Sequence, residues 1–205
     1  MEQDFSTLAT TDYGNVLGRD QFIDISIHPL FQDMKPISGP AYTVQLSSGD
    51  HLMLHSAIYE APEGSIVVVD GVDSKNAVAG GNVCAIAKKR GIKGFVIDGV
   101  IRDLGEITAM GFPVYAKGVF PVPGKKQQYF ELDKPITCGG VKVCPGDIIV
   151  ADIEGIVVIP KYKALATYQA AKAKVKLESR MTLGDWEASH RLKVQQAIEA
   201  AKKAE

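Results

Sequence analysis

Three features of this 205-residue chain predict an α/β domain with a central mixed sheet. Between about residues 36 and 118, apolar strands alternate with amphipathic helices, which is the pattern of parallel β-α-β units. Between 129 and 159 the apolar stretches shorten and are separated by Gly, Pro and Asp, as in short antiparallel strands joined by turns. From Pro160 onward the sequence is rich in Ala, Lys and Glu, the composition of a C-terminal helical tail.

Residues 1–36 show no clear period, although Val16-Leu17 and Phe22-Ile23 could dock as a short helix. Ile37-Ser38-Gly39-Pro40 is turn chemistry, and Ala41 to Leu46 alternates as a strand does. Ser47-Ser48-Gly49-Asp50 reads as a helix start with Asp50 as N-cap, leading into a helix over His51 to Tyr59. Ala61-Pro62-Glu63-Gly64 stops that helix, and Ser65 to Asp70 is apolar enough to be a buried strand. A second unit repeats the pattern, with a helix over Ala77 to Arg90 closed by Gly91 and a strand over Gly94 to Asp98. A third helix, Arg102 to Met110, is closed by Gly111 and followed by a short strand at Pro113 to Ala116. Short strands are then expected at Tyr129-Phe130, Ile136-Thr137, Val141-Val143, Ile148-Val150 and Ile156-Ile159. The tail divides at Thr182-Leu183-Gly184-Asp185 into helices near Tyr162 to Ser179 and Leu183 to Lys203. Residues 1–160 are thus expected to form the α/β domain. Residues 161–205 are expected to belong to it or to lie at a subunit interface, because an Ala-rich helix has only a narrow apolar face.

Composition narrows the function. Lys and Arg total 23 against 24 Asp and Glu, so no global basic field exists to hold a nucleic-acid backbone. The acidic start, Met1-Glu2-Gln3-Asp4, does not resemble a secretory leader, and no apolar run approaches the roughly 18 residues of a membrane span. A cytoplasmic protein with no membrane partner is the expectation. Cys84, Cys138 and Cys144 lack the spacing of a zinc site and are expected as free thiols.

The chemistry concentrates at Ile97-Asp98-Gly99-Val100-Ile101-Arg102-Asp103-Leu104-Gly105-Glu106, where polar groups follow the carboxyl end of a buried strand. On a helix, Asp103 and Glu106 would lie on one side about one 5.4 Å turn apart. Such a pair could share a hydrated Mg²⁺, which takes one or two carboxylates and keeps several waters. The alternative is that both acids merely favour the first helical turn through its dipole. A second helix start, Ala79-Gly80-Gly81-Asn82-Val83, exposes backbone N–H groups to a carboxylate or phosphate, or else packs backbone closely at its two glycines. His51 and His55 make a His-x-x-x-His pair, read as packing and hydrogen bonding because no Glu follows His51. Asp98 could orient Arg102 or simply shape the turn at Gly99.

Gly81, twenty residues, Arg102-Asp103, two residues and Glu106 resemble the Gly-x20-Arg-Asp-x2-Glu/Asp pattern of one family. That family contains the regulator of ribonuclease E activity A and the 4-hydroxy-4-methyl-2-oxoglutarate/4-carboxy-4-hydroxy-2-oxoadipate aldolases. Residues 50–58, 62–70 and 145–160 resemble family segments in the same order, and the likeness runs over roughly 36–180. The best-known aldolase branch has an acidic residue where Gly81 stands. In the other branch, glycine there accompanies an acid at the position of Glu106, so this chain keeps two carboxylates by moving one.

The resemblance implies a swivelling ββα-type fold, assembly as homotrimers or hexamers with sites between subunits, and a metal-dependent carbon-carbon lyase. By that likeness Asp103 is a metal ligand, Glu106 holds water of the ion's shell, and the ion is Mg²⁺ or Mn²⁺. Arg102 is then the catalytic cation at the developing enolate, while Gly80, Gly81, Asn82 and Val83 form the turn that binds the 2-oxo acid's carboxylate. Oxaloacetate decarboxylation would pass through the same pyruvate enolate. The general base is unassigned, with Glu178 of a neighbouring subunit one candidate. The family's other role, a non-catalytic oligomer that inhibits a ribonuclease or helicase partner, is the alternative.

Overall fold

Four strands form the middle of the sheet, the central two of them apolar, β-branched runs buried on both faces. In the computed structural model, which describes residues 3–71 and 73–203, they are β2 (Ile37–Gln45), β3 (Ile66–Asp70), β4 (Gly94–Ile101) and β5 (Val114–Val119). These four strands run parallel. The sheet is completed by β1 (His28–Pro29), antiparallel to β5, and by β8 (Ile148–Ala151) and β9 (Ile156–Ile159), giving the order β1-β5-β4-β3-β2-β8-β9. The β2–β8 and β8–β9 pairings are antiparallel, and β6 (Ile136–Cys138) and β7 (Val141–Val143) form a separate antiparallel pair. The mixed sheet expected from the sequence is therefore present.

Side chains alternate across it with the two-residue period of strands. Val67, Val69, Phe95, Ile97 and Val114 pack under α2 (Leu52–Glu60), α3 (Gly81–Lys89) and α4 (Leu104–Met110). Ile66, Val68, Val96 and Tyr115 face the other way, onto Ile136, Cys138, Val141 and Val143 of the β6–β7 pair. A third apolar cluster joins the two ends of the chain. Phe5, Leu8 and Tyr13 of the N-terminal segment meet Val157 and Ile159 of β9 and Tyr168 and Ala171 of α5 (Ala164–Glu178). The Tyr168 ring stands edge-on to Phe5 at 5.6 Å, and its hydroxyl is 3.0 Å from that of Thr7. The last helix, α6 (Leu183–Lys203), buries none of its residues.

Several local expectations need correction. The short N-terminal helix, α1, covers Thr10–Gly14, and Val16, Leu17 and Phe22 follow it as loop residues packed on the third cluster. The helix expected from Ala77 begins instead at Gly81, because the carbonyls of Ala77 and Ala79 accept the N–H groups of Gly124 and Arg102 rather than those of a helical turn. Tyr129-Phe130 forms no strand; Phe130 tucks its ring against the main core from a loop. β4 runs on through Asp98-Gly99 to Ile101, with a register shift between Ile97 and Val100. Among the described residues no helix is long and apolar enough to cross a membrane, and the three cysteines are free.

Candidate active site

The bulge in β4 bends the strand just before its end, so that Arg102 and Asp103 emerge beside the start of α3. The Arg102 N–H is held by the carbonyl of Ala79 at 3.0 Å, fastening the two segments together. Asp103 is not helical, as the sequence reading had assumed. It has φ 61° and ψ 36°, a left-handed conformation that costs a non-glycine residue about 1–2 kcal/mol and that Asp tolerates better than most. The turn aims its carboxylate back at α3, where Oδ2 accepts the Gly81 N–H at 3.1 Å and lies 3.6 Å from Arg102 Nε.

The two glycines are there for space. A Cβ on Gly80 would stand 2.5 Å from Asp103 Oδ2, and one on Gly81 would stand 2.0 Å from Glu106 Oε2. Both carboxylates therefore converge on the Gly80-Gly81 turn although only Glu106 lies on α4. Glu106 fills the volume a side chain at position 81 would take, which gives the exchange of an acid between positions 81 and 106 a geometric reason. At the first turn of α3, Asp103 takes the Gly81 N–H and the Gly80 carbonyl takes that of Cys84. The N–H groups of Asn82 and Val83 have no acceptor within the helix.

This turn forms one wall of a cavity of about 320 Å³, to which Gly80, Asn82, Val83, Arg102 and Asp103 all contribute. Glu106 lies outside the lining, behind Gly81. Residues that sequence reasoning set aside or missed line a second wall, His51 and His55 with Pro123 and Lys126 from the loop after β5, and apolar residues such as Ile58 and Ile86 complete the lining. The two imidazoles are stacked at 4.3 Å and 14°. Burial pushes both below the usual histidine range, and for His55 the neighbouring His51, Lys126 and Arg102 add to it, taking it to about 4. Asp98 does not orient Arg102; it is ion-paired with Lys117 and accepts the Gly139 N–H at 2.8 Å. Glu178 ends α5, in the groove between α5 and α6 and away from this cavity.

His55 makes stability pH-dependent in a defined direction. It is neutral in the fold and charged in the unfolded chain between pH 6.5 and about 4, so stability is complete above pH 6.5 and falls toward pH 4. Allowing for partial solvent access, the loss is about 2 kcal/mol. Chemical denaturation at pH 7 and pH 4.5 is expected to show a smaller difference for His55→Gln than for the unaltered chain.

The donor set suits a hard cation. Among the described residues no group of three or more His, Cys, Asp or Glu side chains could hold an ion unaided. Two solvent-exposed carboxylates at one turn, of which Asp103 lines the cavity, match the way Mg²⁺ is bound with waters and substrate oxygens completing its shell. Asp103 and Glu106 thus fit such an ion.

An α/β protein with a polar site at the carboxyl ends of its parallel strands defines the class. Residues 7–158 match the family model described as RraA-like, Aldolase/RraA, and the chain belongs to that family. A relative from Halalkalibacterium halodurans, provisionally named a 4-hydroxy-4-methyl-2-oxoglutarate aldolase, is 40% identical over 171 residues, covering 83% of this chain and 81% of its own. Among solved structures, one described as the RNA-processing inhibitor RraA from Thermus thermophilis has a TM-score of 0.68 at 25% identity, covering 78% of this chain and 94% of that one. Another, described as an S-adenosylmethionine: 2-dimethylmenaquinone methyltransferase from Geobacillus kaustophilus, has a TM-score of 0.69 at 33% identity, covering 75% and 96%.

Proposed function

We propose that this chain is a class II pyruvate aldolase that cleaves a 4-hydroxy-2-oxo acid of the 4-hydroxy-4-methyl-2-oxoglutarate type and also decarboxylates oxaloacetate. The observation that carries this reading is the convergence of Asp103, Glu106 and Arg102 on the Gly80-Gly81 turn at one end of a cavity. The name of the Halalkalibacterium relative supports the same reaction class.

Asp103, and Glu106 through water, would hold a divalent cation, Mg²⁺ before Mn²⁺, which when bound would supply Lewis acidity at the 2-oxo group. The N–H groups of Asn82 and Val83, at the positive end of α3, receive the substrate's C1 carboxylate. The C4 hydroxyl gives its proton to water and the C3–C4 bond breaks. A carbonyl forms at C4, and the bonding pair passes to the pyruvate unit as its enolate. Arg102 faces the oxygen on which that charge grows, and protonation at C3 by water completes pyruvate. Oxaloacetate reaches the same enolate by losing carbon dioxide. Assembly as a homotrimer or hexamer would cover α6, and Glu178 of a neighbouring subunit remains a candidate base.

Likeness to the Thermus inhibitor favours a second reading, a non-catalytic regulator of an RNA-processing partner. Pyruvate release from both substrates separates the two. An aldolase releases pyruvate with Mg²⁺, stops when the ion is chelated and resumes when it is restored. A folded protein that never exceeds the metal-only background is the regulator.

A further inference from the structure

The second wall of the cavity has no role in the cleavage just described. It is nevertheless built with care. Asp50, only 4% exposed, accepts the N–H groups of Gln127 at 2.6 Å and Gln128 at 3.2 Å on one oxygen and that of Leu52 at 2.8 Å on the other. Burial opposes its charge, but these three donors outweigh burial and hold the carboxyl below its usual range. The same loop is tied again by Lys125 N–H to the Gly49 carbonyl, His51 N–H to the Lys125 carbonyl and Gly124 N–H to the Ala77 carbonyl. A loop without regular structure is thus fixed on both sides of Lys126, which lines the cavity with the stacked His51 and His55.

The charges in the lining do not balance. Arg102 and Lys126 are cations, both imidazoles are neutral, and Asp103 is the single carboxylate. A divalent ion at Asp103 makes the excess larger. One C1 carboxylate leaves positive charge over, and Lys126 is the cation not engaged by the reacting centre.

We propose that Lys126, with the His51–His55 stack beside it, is a specificity element that selects 2-oxo acids carrying a second, distal carboxylate. Asp50 is its positioning residue, acting through the loop. The inference rests on the 2-oxo acid reading of the site, and concerns the end of the substrate that departs in the aldol reaction. In oxaloacetate the distal carboxylate must itself leave as neutral carbon dioxide, so pairing it with a cation brings that reaction no advantage.

The test is binding with Mg²⁺ present, by calorimetry, of two ligands that lack the 4-hydroxyl and cannot be cleaved: 2-oxoglutarate and the monocarboxylic 2-oxopentanoate. The unaltered protein is expected to bind 2-oxoglutarate about tenfold more tightly. Lys126→Met should bring the two affinities together without changing that for 2-oxopentanoate, and Lys126→Arg should keep the preference. An unaltered protein without the preference, or a Lys126→Met variant that retains it, overturns the proposal. Absence of pyruvate release alongside an intact, Lys126-dependent preference would instead sink the aldolase reading and leave this specificity standing.

Discussion

Arg102→Ala is expected to lower kcat for pyruvate release by about 10²-fold or more while leaving Mg²⁺ affinity close to that of the unaltered protein. The reason is the separation of tasks at the end of β4. Asp103 and Glu106 offer oxygens to the cation, whereas Arg102 lines the cavity with its guanidinium 3.6 Å from Asp103 and contacts no other carboxylate in the structure's ion pairs among the described residues. It faces charge that appears only as the C–C bond breaks, and removing one such preorganised donor costs on that order in rate. Its backbone N–H to Ala79 survives the substitution, so the β4–α3 junction should hold. Steady-state kinetics with a Mg²⁺ titration would check both halves. A partner-binding function should be indifferent to the change.

Gly81→Asp has the second large effect. The new Cβ would sit 2.0 Å from Glu106 Oε2 and 3.3 Å from Glu106 Cβ, so the Glu106 carboxylate must swing out of place. Glu106 is exposed and can do so without unfolding the chain, which puts the damage in the site rather than in stability. Mg²⁺ affinity and activity are expected to fall about 10–100-fold, the usual consequence of displacing a group that orients a metal's shell. Gly81→Asp with Glu106→Ala restores the space and a single second carboxylate, and should recover most of the loss. A double variant no better than the single one would contradict the idea that the two positions exchange one acid.

The sequence reading succeeded where a residue's environment is set by its neighbours along the chain. Val67 to Val69 and Phe95 to Ile97 are unbroken apolar runs, and they occupy the doubly buried centre of the sheet. The Gly81, Arg102-Asp103 and Glu106 spacing likewise identified residues that the fold brings together at one turn. It failed where long-range contacts decide. The start of α3 moves from 77 to 81 because the N–H groups of Gly124 and Arg102 claim the carbonyls of Ala77 and Ala79 first. The left-handed turn at Asp103 has only a weak signature in the sequence: aspartate tolerates that conformation better than most residues, as Asp33 and Asp133 also show, but most aspartates of the chain do not adopt it. Tyr129-Phe130 looked like a strand through its aromatic pair, yet the loop before it is clamped by Asp50, 77 residues earlier. That clamp also explains why Lys126 was missed. His51 and His55 were read as packing residues and do stack on one another, but in the wall of the cavity. The polar stretch Ser47 to His51 beside a charged loop was the signal that could have raised them.

Pyruvate release by Asp103→Ala, set beside the unaltered chain over a range of Mg²⁺ concentrations, decides whether Asp103 holds a catalytic ion. Metal-dependent release from 4-hydroxy-4-methyl-2-oxoglutarate and oxaloacetate is expected in the unaltered chain, and background release in a variant shown by circular dichroism to be folded. Undiminished release in Asp103→Ala would show that the carboxylate at this turn holds no catalytic ion.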